Sequence, residues 1–598
     1  MDFTLVSGRR PRREGVVPVS PRSAGLQPHA RISRRLTTLL LLAAAVVWAS
    51  AALAQTLRVD ATPDHFTNSF RPTEALGAGI DRLPRAATDK LFTEPVLKQV
   101  LSAGWQTVSY RLNTELHVEA WHWNPQGTWS DPSGKGYFTG SATPTEFIRH
   151  SYGYPLAHQG FSHPDGNGYS RLTDGDLNSY WKSNPYLTKT FTGEDDSLHP
   201  QWVVAELASS QQINAIRIAW AEPYARRYLV QYWTGEDPIR QATQGAWLTF
   251  PGGAITQGTG GNATLQLTRS PMPVQFVRIW MTESSNTCDS HGSADRRNCA
   301  GYAIRELFLG TTTTDGEFHD VIRHTADRGQ TSTVCSSVDP WHESSVVNDR
   351  GDQVGLDLFF TSGFTRGLPA MIPVAMVYDT PENAAAEIAY LEKRGYPISY
   401  VEMGEEPDGQ HMLPEDYGAL YLQWATALHR VDPILKLGGP VFEGVNQDIQ
   451  VWPDAQGRTS WLGRFFDYLK AHGRLGDLAF VSFEHYPFPC TMNPLESATS
   501  SKYGEMTDCH PASPCSSPSR ISRGTRTSRS SIYLRRSGGQ TTREPSSKPA
   551  GTRSITSIIF RSGFLSVAAG RPRGLSVCSP WIRTTRSSST LRSSSPAS

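Results

Sequence analysis

Two acidic turns carry the residues best suited to proton-transfer chemistry. Glu402-Met403-Gly404-Glu405-Glu406-Pro407-Asp408 closes one apolar run, and Ser482-Phe483-Glu484-His485-Tyr486-Pro487 closes another. Neighbouring carboxylates resist joint ionisation, so one of the pair keeps its proton to higher pH and can donate it near neutrality. The competing readings are plain: an exposed acidic turn for the first segment, packing for His485 and Tyr486. A third polar run holds Arg111, Asn113, Glu115, His117, Glu119, Trp121 and His122. In it, Arg111 could order the carboxylates or hold an acidic ligand.

The elements that position these runs alternate between strand and helix. Strands are predicted over residues 75–81, 107–112, 369–377, 398–403, 435–441 and 478–483. Helices are predicted over 93–103, 380–394, 414–431 and 460–472, the second opened by Thr380-Pro381-Glu382 as cap and first turn. Repeated β-α units predict an α/β fold with a parallel sheet, and this many favour a (β/α)8 barrel with chemistry at the C-terminal strand ends. An open doubly wound sheet is the alternative, but no Gly-rich phosphate loop follows the first strand.

Residues 140–312 read differently. Short alternating runs such as Ile213-Asn214-Ala215-Ile216-Arg217-Ile218 and Val274-Gln275-Phe276-Val277-Arg278-Ile279, separated by Gly- and Asp-rich turns, predict an antiparallel β-sandwich that interrupts the barrel. Trp105, Trp121, Trp123, Trp129, Trp181, Trp202, Trp220 and Trp233 crowd the first half of the chain. Indole faces stack on the C–H faces of sugars, although core packing accounts for many such residues.

Two resemblances sharpen these expectations. Leu172-Thr173-Asp174-Gly175-Asp176-Leu177-Asn178-Ser179-Tyr180-Trp181 and Tyr302-Ala303-Ile304-Arg305-Glu306-Leu307 resemble the first motif and last strand of discoidin-type domains, the coagulation-factor 5/8 C-terminal family with a jelly-roll fold. The resemblance implies a carbohydrate ligand and a structural Ca2+ held by Asp174, Asp176, Ser179 and Glu306, hard oxygen donors on a tight turn. Asx hydrogen bonds alone would also close that turn. Sugar contacts in such domains come from loops at one end, where Trp220, Tyr224 and Arg226 fall. The segment Glu405-Glu406-Pro407, with Val431-Asp432-Pro433 and Leu437-Gly438-Gly439-Pro440, resembles the strand-four motif of the retaining glycoside hydrolase clan built on (β/α)8 barrels, most of all family 39. It covers residues 360–490 well and 57–130 loosely. By that resemblance Glu406 is the general acid/base, and His485 and Tyr486 line the sugar site. Glu405 stands where the family has Asn; an ionised Glu cannot donate to a sugar hydroxyl, but it can raise the pKa of Glu406. No cofactor is implied for catalysis.

Retaining hydrolysis needs a second carboxylate roughly 5–5.5 Å from the first. In this clan it ends strand seven, which would fall in the tail from about Pro511, rich in Ser, Arg, Thr and Pro. Glu544 is the one carboxylate there, in Thr542-Arg543-Glu544-Pro545, and no apolar strand precedes it. The tail reads as out-of-frame or disordered, the barrel as incomplete and this chain as inactive in hydrolysis. A non-catalytic carbohydrate-binding or adhesion protein is the alternative.

The start of the chain indicates export. Arg31, Arg34 and Arg35 precede an uncharged apolar run ending in Ala52-Leu53-Ala54, a signal-peptide pattern too short to span a bilayer. The expected layout is a signal peptide over 1–54, barrel over 57–139 and 313–508, sandwich over 140–312 and an anomalous tail over 509–598, in a secreted or periplasmic protein with no membrane attachment after cleavage. A formal net charge of +1 over 598 residues argues against nucleic acid as a partner. Of seven cysteines, Cys288 and Cys299 flank a polar loop and suit a disulfide in an oxidising compartment, with Cys490 and Cys509 a weaker pair.

Overall fold

The computed structural model describes residues 77–485, except 81–82, 105–106, 112–114, 116–117, 157–170, 328, 349–350 and 444–447, together with strands Ser530–Arg535 and Ser557–Ser562. The signal-peptide pattern, Tyr486, Cys490, Cys509 and Glu544 lie outside the described residues.

Six parallel strands form the central sheet: β1 (Gly77–Ile80), β2 (Thr107–Tyr110), β3 (Ala370–Val374), β4 (Ile398–Met403), β5 (Leu437–Gly438) and β6 (Leu478–His485). Their spatial order is their chain order, each parallel to the next. Helices α1 (Glu94–Leu101), α2 (Pro381–Arg394), α3 (Pro414–Val431) and α4 (Trp461–Ala471) fall between consecutive strands. Local chemistry sets their ends. Thr380 caps α2 by accepting from Asn383 N at 3.2 Å, and Ser460 caps α4 by accepting from Gly463 N at 2.8 Å. Gly395, at φ 70°, ends α2 in the left-handed conformation that glycine adopts without strain. Strand β5 is far shorter than residues 435–441, because Gly439 turns to φ 107° and Pro440 has no N–H for the ladder.

This is an α/β sheet wound in one direction. Strands seven and eight of a closed parallel barrel are not among the described residues. Instead Ser530–Arg535 pairs antiparallel with β6, and Ser557–Ser562 with Ser530–Arg535. Two strands within the tail thus pair with the edge of β6 and with each other.

The antiparallel sandwich is present. One sheet has the order Trp247–Ile255, Ala225–Trp233, Met272–Ser284, Gln201–Ile213, Ser332–Cys335; the other has Asn262–Gln266, Ala215–Trp220, Ala303–Thr312, Phe318–Asp320, with Trp181–Lys182 also on Ala303–Thr312. Alternate residues from both sheets, among them Val203, Ile216, Ile218, Val230, Ile279 and Ile304, fill the core between them. Its strands run from Trp181 to Cys335. Residues 119–155 belong to two smaller antiparallel sheets, whose partner strands His342–Glu343 and Gly351–Val354 follow the sandwich in the chain. Pairing of strands before and after the inserted sandwich closes its base.

Candidate functional site: a buried carboxylate cluster and the ends of the sandwich

The C-terminal ends of β2, β3, β4 and β5 converge on a small cavity lined by Arg111, Glu115, Val374, Glu402, Glu405 and Val441, among others. Its volume is about 10 Å3, room for a single water. Three carboxylates line it, all buried: Glu115, Glu402 and Glu405; Glu406, the next residue in the chain, is buried as well. A cluster of this charge needs compensation, since an unpaired buried carboxylate is expensive. Arg111 supplies part of it through a buried ion pair with Glu405. Its guanidinium therefore does order a carboxylate, and the pairing weakens any repulsion of Glu406 by Glu405.

Glu115 was visible in the sequence only as one member of a polar run. It accepts backbone N–H groups from both neighbouring strand ends: Met376 and Val377 (2.8 Å) after β3, and Glu405 (2.5 Å) after β4. Burial pushes its pKa up to about 7 against the lowering effect of those three donors. Gly404, at φ 83°, turns the chain here, and a Cβ on it would come within 3.0 Å of the Glu115 carboxylate. The sequence signal for Glu115 was its place just beyond a strand end; its partner was unreadable because 290 residues separate it from Glu405.

Glu406 adopts φ 49°, an uncommon conformation for a side-chain-bearing residue. Its N–H donates to Pro440 O at 3.1 Å, and its carbonyl accepts from Gly409 and Gln410. Gln410 in turn donates to Glu405 O at 2.7 Å, and Asp408 accepts from Glu443 N at 3.1 Å. The β4 and β5 loops are thus laced together around the acidic pair. His485 is the last residue of β6.

At the end of the sandwich the candidate sugar contacts separate. Trp220 is only 5 % exposed, its ring 5.1 Å from Tyr228 in the sandwich core, so its faces are covered. Tyr224 is half-buried and lies over Gly260, where a Cβ would come within 2.6 Å of its ring. Arg226 and Arg227 are exposed beside Glu283, at 3.8 and 3.2 Å. The open groups at this end are one phenol, two guanidiniums and a carboxylate.

The structure brings Asp174, Asp176, Ser179 and Glu306 onto one turn. Asp174 accepts from Asp176 N (2.9 Å) and Ser179 Oγ (2.7 Å); Glu306 accepts from Gly175 N (3.1 Å). His324 was not anticipated: it bridges Glu306 Oε1 (2.5 Å) and Asp320 (2.8 Å). Burial would lower its pKa, but the two carboxylates outweigh that and raise it to about 9. Glu306 Oε2 is buried with no hydrogen-bond partner. That orphaned oxygen lies beside the Asp174 turn, the place expected for Ca2+, where the His324 ring already holds the other oxygen of Glu306. No group of three or more His, Cys, Asp or Glu that could hold a metal ion occurs among the described residues. The Cys288–Cys299 disulfide is formed, and no helix among the described residues is long and apolar enough to cross a membrane.

No family model matches the chain. No curated protein matches it either. Among solved structures, chitosan-binding module 1 of a chitosanase/glucanase from Paenibacillus sp. IK-5 is 26 % identical, over 25 % of this chain and 90 % of that one, with a TM-score of 0.17. Module 2 of the same enzyme, in complex with chitotriose, is 16 % identical over 23 % of this chain and 98 % of that one, TM-score 0.15. An arabinose-bound α-L-arabinofuranosidase is 12 % identical over 56 % of this chain and 58 % of that one, TM-score 0.12. These scores are too low to carry an argument about fold or ligand.

Proposed function

We propose that this is an exported carbohydrate-binding protein whose sandwich takes a glycan at the end carrying Tyr224, Arg226 and Arg227. The observation that carries the reading is the open phenol beside two guanidiniums and Glu283 on a sandwich with a discoidin-like Asp174-Gly175-Asp176 turn. An aromatic face stacks on a sugar ring, while guanidinium and carboxylate groups hydrogen-bond its hydroxyls. The test is calorimetry of the full chain against xylan, cellulose and chitosan oligosaccharides. Tyr224→Ala and Arg226→Ala are expected to weaken binding at least tenfold; unchanged affinity in both would reject this end as the site.

A retaining glycoside hydrolase related to family 39, on a (β/α)8 barrel, is the second reading. It is favoured by Glu406, buried at the end of β4 on an acidic, left-handed turn. Against it stand the water-sized cavity, the Arg111–Glu405 pair within it, and the lack, among the described residues, of a seventh parallel strand to present the second carboxylate. Turnover of aryl xylosides or glucosides that disappears in Glu406→Gln would establish this reading; absence of turnover leaves the binding role.

A further inference from the structure

A second cavity, of about 210 Å3, lies on the small sheets outside both the carboxylate cluster and the sandwich. Its walls come from residues 124–126, 146–150 and 152, which include Glu146, Phe147, His150, Tyr152 and Arg149, the last paired with Asp89. The walls are built. Asn124 is fully buried, donates to Ser141 O at 2.8 Å and accepts from Gln126 N at 2.8 Å. Gln126 is held at both ends of its amide by Thr145, accepting from Thr145 N at 2.9 Å and donating to its hydroxyl at 3.3 Å. The floor is the buried Ile148, pinned through its N–H to Asp357 at 2.7 Å.

Over this rigid frame two groups are left open. Phe147 is 54 % exposed, among the most exposed large apolar side chains described. Glu146 is exposed and has no hydrogen bond or ion pair among the described residues. On the facing strand, His150 and Tyr152 fall two residues apart and so project to the same side. An exposed aromatic ring, a phenol and a free carboxylate around a cavity is the chemistry that recognises a sugar: ring faces meet C–H bonds, and a carboxylate accepts from two vicinal hydroxyls. The volume is below the ~300 Å3 at which drug-sized sites begin, which limits the occupant to a single ring of a glycan chain.

We infer that the cavity between residues 124–126 and 146–152 is a second, non-catalytic glycan subsite, binding one neutral pyranose unit through Phe147 and Glu146. This rests on the reading of the protein as glycan-directed, but not on the sandwich end. The test is titration of the full chain with xylohexaose, cellohexaose and chitohexaose, in the wild type and in Phe147→Ala, Glu146→Gln and Tyr224→Ala. Both cavity substitutions are at exposed positions, so the fold is kept. The expected result is two sites per chain in the wild type. One is weakened at least tenfold by Phe147→Ala and at least fivefold by Glu146→Gln, and the other is lost in Tyr224→Ala. Wild-type isotherms in both cavity variants, with loss in Tyr224→Ala, would overturn this inference and leave the proposed function standing. Binding of no probe by the wild type would overturn both.

Discussion

Arg111 and Glu405 are both buried, and the ion pair between them is the one charge compensation sequence could suggest but not place. Removing one partner leaves the other charge uncompensated, so Arg111→Met is expected to cost about 3–5 kcal/mol. The double substitution Arg111→Met with Glu405→Leu should recover most of that. Urea denaturation of the double variant and of both single ones, Glu405→Leu included, measures it, and an additive double mutant would refute the coupling. A second residue-scale prediction concerns His122 and His342, whose Nε2 atoms lie 2.7 Å apart in the aromatic cluster with Trp129, Phe138 and Tyr154. His342 Nδ1 donates to Pro340 O at 2.7 Å, so its Nε2 accepts and His122 donates. Burial lowers the His342 pKa to about 4. A base whose folded pKa is depressed favours the folded state above its unfolded pKa of about 6.5. That contribution, about 3 kcal/mol by the size of the shift, is lost as pH falls through 4. Unfolding followed from pH 7 to pH 4 should show a smaller acid-side loss in His342→Gln than in the wild type. Parallel curves would exclude the pair as its source.

At the scale of elements, the loops after β4 and β5 matter most. The β5–α4 loop carries Trp452 onto the outer face of the sandwich, 4.7 Å from Trp202 and 5.5 Å from Trp247, with its Nε1 donating to Pro238 O at 2.8 Å. The Arg278 guanidinium stacks on Trp247, Trp280 and Trp452 at 4.2–4.5 Å and is held by Gln231. The same loop includes Val441, which lines the carboxylate cavity. The sandwich therefore braces the loop that bounds the acidic site. Trp452→Ala is expected to cost about 3–5 kcal/mol, as for other buried aromatic truncations. A calorimetric melt would show it; an unchanged melting temperature would mean the contact is incidental. Strand, helix and cap positions were largely legible, because the apolar runs, Thr380-Pro381-Glu382 and Ser460 act locally. The shortness of β5 was less so: the Gly439-Pro440 pair was in view, but ladder pairing depends on a neighbour strand.

For the whole molecule, the Ca2+ that the discoidin resemblance implies can be tested independently of sugar. If Ca2+ sits on the Asp174 turn with Glu306 Oε2, millimolar Ca2+ raises the melting temperature by a few degrees through preferential binding to the folded state. Chelation reverses the effect, and Glu306→Gln abolishes it. The response should be weaker at pH 6 than at pH 9, because His324, raised to about 9, keeps its proton on the acid side and competes for Glu306. No response to Ca2+ or chelator at either pH would show that histidinium and Asx hydrogen bonds alone hold the turn.

Periodicity by itself determined that a β-α alternation is interrupted by alternating strands, and the Glu405-Glu406 turn was readable because it directly follows the apolar strand that positions it. The Asp174-Gly175-Asp176 turn was readable for the same reason, since its hydrogen bonds span two to five residues. Only the tertiary structure decided how far each aromatic residue is covered: Trp220 and Tyr224 are four residues apart, yet one is buried in the core and the other is half-buried at its margin. It alone joined Glu115 to Glu405, Arg111 to Glu405, His324 to Glu306 and Trp452 to the sandwich. Those contacts depend on which chain segments the sheets bring together, and burial and charge compensation are properties of that assembled neighbourhood, with no local pattern in the sequence to announce them.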